Sequence, residues 1–168
     1  MSKLVVALTN AGVIANNLPP SWGWSWLEIL TEEQQPEWSV IGIEHAGKWQ
    51  GIIFVDTHKC PCYHKPGAGA VYVSYMGTAP WNLGYYLNIV EEIPEFDEVG
   101  LILLTLAVKE SLDCGFDGRV VMHAAQGSEG FFRKCGITEL GPDVRHPNSL
   151  VRFEVTVEQA RLLSGKLP

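Results

Sequence analysis

No stretch of this sequence is apolar for long enough to cross a membrane. The first apolar run, Leu4 to Leu8, ends at Thr9. A membrane-spanning helix needs about 20 apolar residues, and the core of a signal peptide needs at least about seven. We therefore expect neither a membrane anchor nor a secretory signal.

Cysteine is also scarce. The chain has four cysteines, Cys60, Cys62, Cys114 and Cys135. A chain of 168 residues, 46% of them apolar, can build its own hydrophobic core and does not need disulfides. We therefore expect reduced thiols and a cytoplasmic protein.

Positive charge is in deficit, with 12 Lys and Arg against 19 Asp and Glu and a net charge of −7. Proteins that bind nucleic-acid backbones need a basic surface, so we expect no nucleic-acid partner. A small anionic ligand needs only a local site and is not excluded. The sequence has no internal repeat or low-complexity tract, and its length favours a single domain over residues 1–168.

The first half of the chain is rich in β-strand patterns. Two runs, Trp38 to Glu44 and Trp49 to Val55, flank a short turn and predict an antiparallel hairpin. A loop is predicted over Thr57 to Gly69. The next run, Val71 to Met76, predicts a third strand that is interrupted at Gly77 and followed by an irregular segment to Glu95. Before the hairpin, a first strand over Leu4 to Leu8 and a short helix over Trp24 to Gln34 are predicted.

The second half alternates helix and strand. The helical spacing of Leu101, Leu104, Val108 and Leu112 predicts a long apolar helix, with Gly115 at its C-terminal end. Further elements follow: a strand over Arg119 to Ala124, a short helix over Ser128 to Lys134, a strand over Leu150 to Val157, and a final helix opened by the capping box Thr156 to Gln159. This order predicts a mixed α/β fold with one crossover helix.

Three motifs together resemble the GNAT superfamily of N-acetyltransferases. Glu95 to Gly100 occupies the place of the family's R/Q-x-x-G-x-G/A loop, and Ser128 to Ile137 resembles its A-x-x-F-Y-x-x-x-G-F helix. Ala79 to Asn82 reads A-P-W-N, as in one GNAT-like branch. The resemblance implies a mostly antiparallel sheet flanked by helices, in which a bulge splays the central pair of strands.

The resemblance also implies a site for acetyl-coenzyme A as cosubstrate. The backbone of Tyr75, Met76 and Gly77 would hold the pantetheine arm. The N–H groups of the loop would hold the pyrophosphate, where a helix N-terminus favours an anion. Ser128, Phe131 and Phe132 would line the thioester and the adenine side. The residues of that phosphate loop are Phe96, Asp97, Glu98, Val99, Gly100 and Leu101.

The implied reaction is transfer of the acetyl group to an amine, carried by a small molecule or a protein. His123 or Tyr75 would handle protons, and Glu44 is a further candidate base. Packing or hydrogen-bonding roles explain these residues as well. Glu95 and Glu98 in the loop, and Phe132 at the family's tyrosine position, favour an alternative: a non-catalytic binding protein with the same fold. Pairing of edge strands in a homodimer is a further expectation from the family.

Two other clusters have a functional and a structural interpretation. Cys60, Cys62 and His64 could contribute metal ligands, but zinc sites require four ligands and the sequence offers no second pair, so we predict no metal. The alternating Trp22, Trp24 and Trp26 could line a substrate pocket or form an aromatic flap over the sheet.

Overall fold

The computed structural model describes Ile29 and residues 37–165. Within this range a six-stranded sheet has the order β1-β2-β3-β4-β6-β5. The strands are β1 (Trp38–His45), β2 (Lys48–Pro61), β3 (Gly69–Thr78), β4 (Val120–Ala124), β5 (Thr138–Pro142) and β6 (Val151–Val155). The helices are α1 (Gly84–Ile89), α2 (Val99–Asp113), α3 (Glu129–Lys134) and α4 (Val157–Ser164).

The predicted hairpin is confirmed. Strands β1 and β2 pair antiparallel up to His45 and Lys48, and the two turn residues Ala46 and Gly47 both have positive φ, as tight hairpin turns require. The loop predicted from Thr57 is wrong over its first part, because β2 continues through it to Pro61. The alternation of apolar and polar residues is weak over this part of the strand, because the pairing of β2 with β3 is irregular there.

Helix α2 connects β3 to β4, which pair in parallel. It packs on one face of the sheet through Leu103, Leu104, Ala107 and Val108, none of which is accessible to solvent. Leu112, which the predicted stripe included, is half exposed at 49%. The crossover is therefore confirmed, and the buried stripe lies slightly rotated from the one predicted.

The main hydrophobic core lies between that sheet face and helices α2, α3 and α4. Its strand residues alternate, so that Val120, Met122 and Ala124 of β4 belong to it together with Phe153 and Val155 of β6. The intervening residues of these strands face the other side of the sheet.

Several boundaries differ from the prediction. Strand β3 continues through Gly77, which pairs with Ile52, so the interruption predicted there is wrong. The segment after it is not irregular throughout, because a 3-10 turn (Pro80–Asn82) and helix α1 occupy most of it. Strand β5 was not predicted. It is short and mostly exposed, so its apolar pattern is too weak to identify it.

The end of the chain follows the prediction closely. Thr156 accepts a hydrogen bond from the backbone of Gln159, and the Gln159 side chain accepts one from the backbone of Thr156, which completes the capping box. Predictions for the first strand and for Trp22, Trp24 and Trp26 lie outside the described residues, and of the predicted first helix only Ile29 is described, as helical and buried. None of the helices in the described part of the chain is long and apolar enough to cross a membrane.

Candidate functional site

Strands β3 and β4 pair briefly and then separate. Their parallel pairing ends where Val73 meets Met122, although β3 continues to Thr78 and β4 to Ala124. Beyond Val73, β3 is hydrogen-bonded to β2 on one side but has no pairing with β4 on the other. Backbone groups on that side form an internal edge that can pair with an extended ligand.

A β-bulge at Ser74 marks the point of separation. It falls between the Phe54–Tyr75 pair and the next pair, which involves Val73. One extra residue reverses the alternation of side chains, so Val73 and Met76 both contact the core under α2. Tyr75 instead lies on the opposite face, with its ring edge-on to Phe54 at 5.9 Å.

Helix α2 begins beside the end of β3. A Cβ added at Gly100 would lie 3.6 Å from Thr78 Oγ1. Among the described residues, none accepts a hydrogen bond from the backbone N–H of Val99, Gly100 or Leu101. Unpaired N–H groups and the helix dipole make this position favourable for an anion.

Glu98, the N-cap residue of α2, adopts a left-handed conformation with φ of +60°. Glycine adopts this conformation without strain, whereas other residues incur a cost of about 1–2 kcal/mol. The backbone at Glu98 thus has a conformation that glycine favours, although the residue is a glutamate. The side chains of Asp97 and Glu98 are exposed, so their charges are partly screened by solvent.

Gly100 and Phe131 are in close contact. A Cβ at Gly100 would lie 3.0 Å from Cε2 of the Phe131 ring, so the glycine makes room for that ring at the start of α2. Phe132 points the other way, is 5% exposed and packs against Phe153 with ring centroids 5.2 Å apart. Phe131 therefore lies beside the start of α2, and Phe132 belongs to the core.

The A-P-W-N segment attaches this loop to β2 through the buried side chain of Gln50. Gln50 Oε1 accepts hydrogen bonds from Trp81 Nε1 at 2.9 Å and Asn82 Nδ2 at 2.8 Å. Asn82 Oδ1 accepts one from the backbone N–H of Phe96 at 2.8 Å. The Phe96 N–H, predicted to bind the pyrophosphate, is thus already bonded to protein.

Glu95 is paired with Lys48 at the β1–β2 turn. The Lys48 ammonium also lies 4.1 Å from the centroid of the Trp81 ring. The carboxylate at the first position of the loop is therefore balanced by a cation from another part of the chain.

A polar cluster occupies the opposite face of the sheet. His123, the residue after the last β4 residue paired with β3, lies between two partners: Nδ1 is 2.9 Å from the hydroxyl of Tyr72, and Nε2 is 3.2 Å from Oδ2 of Asp143. Burial lowers the pKa of His123, although its hydrogen bond to Asp143 opposes this effect. Burial raises the pKa of Tyr72 to about 12.

Asp143 is held as a carboxylate. The backbone N–H of Arg145 donates to it at 3.0 Å, and this bond, with those from His123 and Tyr63, lowers the pKa of Asp143 to about 2. Arg152 lies 3.5 Å from the same carboxylate. The cluster can therefore keep a buried carboxylate ionised next to a neutral imidazole.

Arg152 and Glu154 anchor the rest of the cluster. The Arg152 guanidinium donates to Glu154 and to the carbonyl of Pro61, and stacks on the Tyr63 ring at 3.5 Å. Glu154 also accepts from the backbone of Tyr63 and His64. These bonds fix the chain after β2 against β6.

The predicted site residues thus fall into two groups. Met76, Phe131 and the start of α2 lie on the helix-covered side, and His123 and Tyr75 lie on the other face. Ser128 donates its hydroxyl to the carbonyl of Ala125 at 2.6 Å, which stabilises the turn before α3. The roles predicted for these residues remain predictions.

Sequence reasoning missed Tyr72 and Asp143. Tyr72 could have been found, because alternation places it on the same face as His123 of the neighbouring strand. Asp143 follows β5, which was not predicted, so no sequence signal placed it near His123. Glu44, the third candidate base, accepts a hydrogen bond from Gly47 at 2.8 Å and stabilises the hairpin turn.

Cys60, Cys62 and His64 lie near this face. Burial raises the pKa of both thiols. Within residues 37–165 and Ile29, no three His, Cys, Asp or Glu side chains are grouped closely enough to hold a metal ion.

Comparison with solved structures identifies the fold. An aminoglycoside 6′-acetyltransferase type Ii superposes with a TM-score of 0.53 at 15% identity, covering 93% of this chain and 92% of that one. FeeM, an N-acyl amino acid synthase from uncultured soil microbes, gives 0.53 at 12% identity over 82% and 77%. A Bacillus subtilis acetyltransferase in complex with CoA gives 0.50 at 13% identity over 78% and 84%.

Neither protein-family models nor curated proteins match the sequence. The structural likeness nevertheless shows that this chain has the fold of the GNAT superfamily. The resemblance drawn from the motifs is confirmed at that level, including the splayed central strands.

Proposed function

We propose that this protein binds an acyl-coenzyme A thioester, with acetyl-coenzyme A as the donor, and transfers the acyl group to an amine. The observation that carries the proposal is the separation of β3 from β4 beside N–H groups of α2 that have no acceptor among the described residues. Similar structures include acetyltransferases, one of them in complex with CoA.

In this proposal the pantetheine arm pairs with the edge of β3 that faces away from β2, between Ser74 and Thr78. The pyrophosphate binds the N–H groups of Val99, Gly100 and Leu101. These N–H groups are fixed before binding, so little ordering cost opposes the ligand. Phe131 lines the thioester side of the gap.

The acceptor amine approaches from the face that carries His123 and Tyr75. The two residues lie on one face only because the bulge at Ser74 turns Tyr75 away from α2. A base on this face is separated from the phosphate site by the sheet, which keeps donor and acceptor on different sides of the reacting carbonyl.

A second function, acyl-coenzyme A binding without transfer, is favoured by one observation. Phe132 stands where the family's tyrosine would be expected, and its ring is buried against Phe153. Helix α3 therefore supplies no hydroxyl there for a leaving thiolate. The two proposals differ only in turnover.

Isothermal titration calorimetry with coenzyme A and acetyl-coenzyme A tests binding. Gly100→Glu would place a carboxylate beside the N–H groups, but its side chain would also collide with Phe131. The informative comparison is therefore Gly100→Glu/Phe131→Ala against Phe131→Ala alone. We expect the single variant to bind and the double variant to lose binding by at least tenfold. Equal affinities, or no binding by the wild-type protein, would refute the proposed site.

Turnover is then measured as release of free thiol from acetyl-coenzyme A in the presence of primary amines. Comparison with longer acyl-coenzyme A donors establishes the acyl preference. Binding without thiol release with any amine would favour the non-catalytic alternative.

A further inference from the structure

The cluster around His123 has a definite arrangement of hydrogen bonds. Both ring nitrogens are occupied, Nδ1 by the Tyr72 hydroxyl at 2.9 Å and Nε2 by Asp143 at 3.2 Å. The side chains of His123 and Asp143 are 8% and 6% exposed. No acceptor amine can reach either ring nitrogen directly while these bonds are in place.

The positions of the protons follow from the partners. An ionised carboxylate only accepts hydrogen bonds, so Nε2 of His123 must carry the proton that Asp143 accepts. Nδ1 of the neutral ring is then an acceptor, and the Tyr72 hydroxyl, protonated across the physiological range, is its donor. Asp143 thus fixes the tautomer of His123, and Tyr72 covers the basic nitrogen.

We infer that Tyr72, His123 and Asp143 form a proton relay in which Tyr72 touches the acceptor amine, His123 takes the proton through the Tyr72 hydroxyl, and Asp143 is a positioning residue. This inference rests on the proposed function and adds to it the residue that contacts the acceptor. Tyr72 lies directly before Val73, the last β3 residue paired with β4, so it stands at the start of the gap.

The proposed relay accounts for every bond and proton of the acyl transfer. The amine nitrogen attacks the thioester carbonyl, forming a C–N bond, and the C–S bond then breaks to release the coenzyme A thiolate. The amine proton moves to the Tyr72 oxygen while the original Tyr72 proton moves to Nδ1 of His123. The resulting imidazolium is stabilised by Asp143 and later returns the proton to the thiolate or to solvent.

Other charged and titratable groups surround the relay. The His146 ring lies 4.5 Å from that of His123, and Arg152 contacts Asp143. Cys60 and Tyr75 interact electrostatically with Tyr72. Burial and the charge of Arg152 lower the pKa of His123, so the ring is neutral and ready to accept a proton at neutral pH.

Nitrogen-15 NMR of the histidine rings tests the arrangement without any turnover. We expect His123 to be the Nε2–H tautomer in the wild-type protein. In Tyr72→Phe the pKa of His123 should rise, because the bond that favours the neutral ring is lost. Tyr85→Phe is the matched control, since Tyr85 is exposed and lies in α1, outside the cluster. An Nδ1–H tautomer, or no change in Tyr72→Phe, would overturn the relay.

Kinetics test the proton transfer itself. Thiol release from acetyl-coenzyme A is followed with methylamine, ethanolamine and benzylamine as acceptor probes, and variants are compared with the fastest of these. Tyr72→Phe and His123→Gln should each lower kcat by about 100-fold or more with unchanged affinity for acetyl-coenzyme A. Tyr85→Phe should stay within a few-fold of wild type.

The pH profile separates a relay from a structural role. Wild-type kcat should rise with pH through the pKa of His123 and then level off, and His123→Gln should lack this dependence. A Tyr72→Phe variant with wild-type kcat would overturn the relay while leaving the proposed function intact. Failure of the wild-type protein to bind acetyl-coenzyme A would instead refute the proposed function.

Discussion

Asn82 Nδ2 donates a hydrogen bond of 2.8 Å to Oε1 of Gln50, and both side chains are buried. Together with the hydrogen bond from Trp81 Nε1 to the same oxygen, this contact joins β2 to the segment that follows β3. Since Asn82 also accepts from the backbone of Phe96, the position of the loop before α2 depends on an amide that lies outside the loop.

Asn82→Ala should therefore weaken both stability and ligand binding. Loss of the amide leaves the Gln50 oxygen and the Phe96 N–H with fewer partners, and a buried unsatisfied polar group costs about 1–3 kcal/mol. Asn88→Ala, an exposed asparagine in α1, is the control. Urea unfolding and calorimetry with coenzyme A provide the measurements, and equal values for both variants would contradict this role.

Glu98→Gly should stabilise the protein and strengthen coenzyme A binding. The substitution relieves a positive φ, for which we expect about 1 kcal/mol, and removes a carboxylate next to the proposed pyrophosphate site. Glu91 offers a matched control because it is also an exposed glutamate with positive φ, +56° against +60° for Glu98. Glu91→Gly should give a similar gain in melting temperature but leave affinity unchanged. Equal changes in coenzyme A affinity in the two variants would count against the proposed pyrophosphate site.

Gly118→Ala should destabilise the fold more than Gly127→Ala. Both glycines have positive φ, +79° and +87°, so both variants incur backbone strain. A Cβ at Gly118 would in addition lie 2.6 Å from Cβ of Ala160 in α4, whereas nothing lies within 4 Å of one at Gly127. We expect an extra cost of about 1–3 kcal/mol at Gly118, measured by urea unfolding. Similar losses of stability for both variants would show that α4 can shift to make room for the added methyl group without cost.

Stability should fall as the solution is acidified below about pH 6.5. Burial lowers the pKa of His123 in the folded protein, so the unfolded chain binds a proton there at a higher pH than the folded one. Stability contributed by the neutral ring is thus present above the unfolded pKa and is lost as the pH drops below it. His123→Gln should flatten this part of the curve. Unfolding free energies measured between pH 7 and 5 provide the comparison. At this site the folded and unfolded states should differ by at most about one bound proton.

Much of the fold could be predicted because local patterns and tertiary structure agree. The hairpin turn at Ala46 and Gly47, the apolar helix over Leu103 to Val108 and the capping box at Thr156 each follow from short-range rules. These elements define the sheet order around β3 and β4, and hence where a gap could open.

The chemistry of the second sheet face could not be predicted in the same way. The partners of His123 come from β3 and from the chain after β5, and contacts between such distant segments leave no local signature. Strand β5 pairs only at the sheet edge, so its sequence is free of the alternation that identifies buried strands. Asp143 was missed for that reason.

The bulge at Ser74 divides β3 into two parts with opposite alternation of side chains. Up to Val73, odd-numbered residues belong to the core; after Ser74, even-numbered residues do, beginning with Met76. In a regular strand without the bulge, in which Ser74 took its own place in the alternation, the environments of Tyr75 and Met76 would be exchanged. The phenol would enter the apolar core and the thioether would face the polar cluster. A single position thus sets which chemistry each side of the sheet presents.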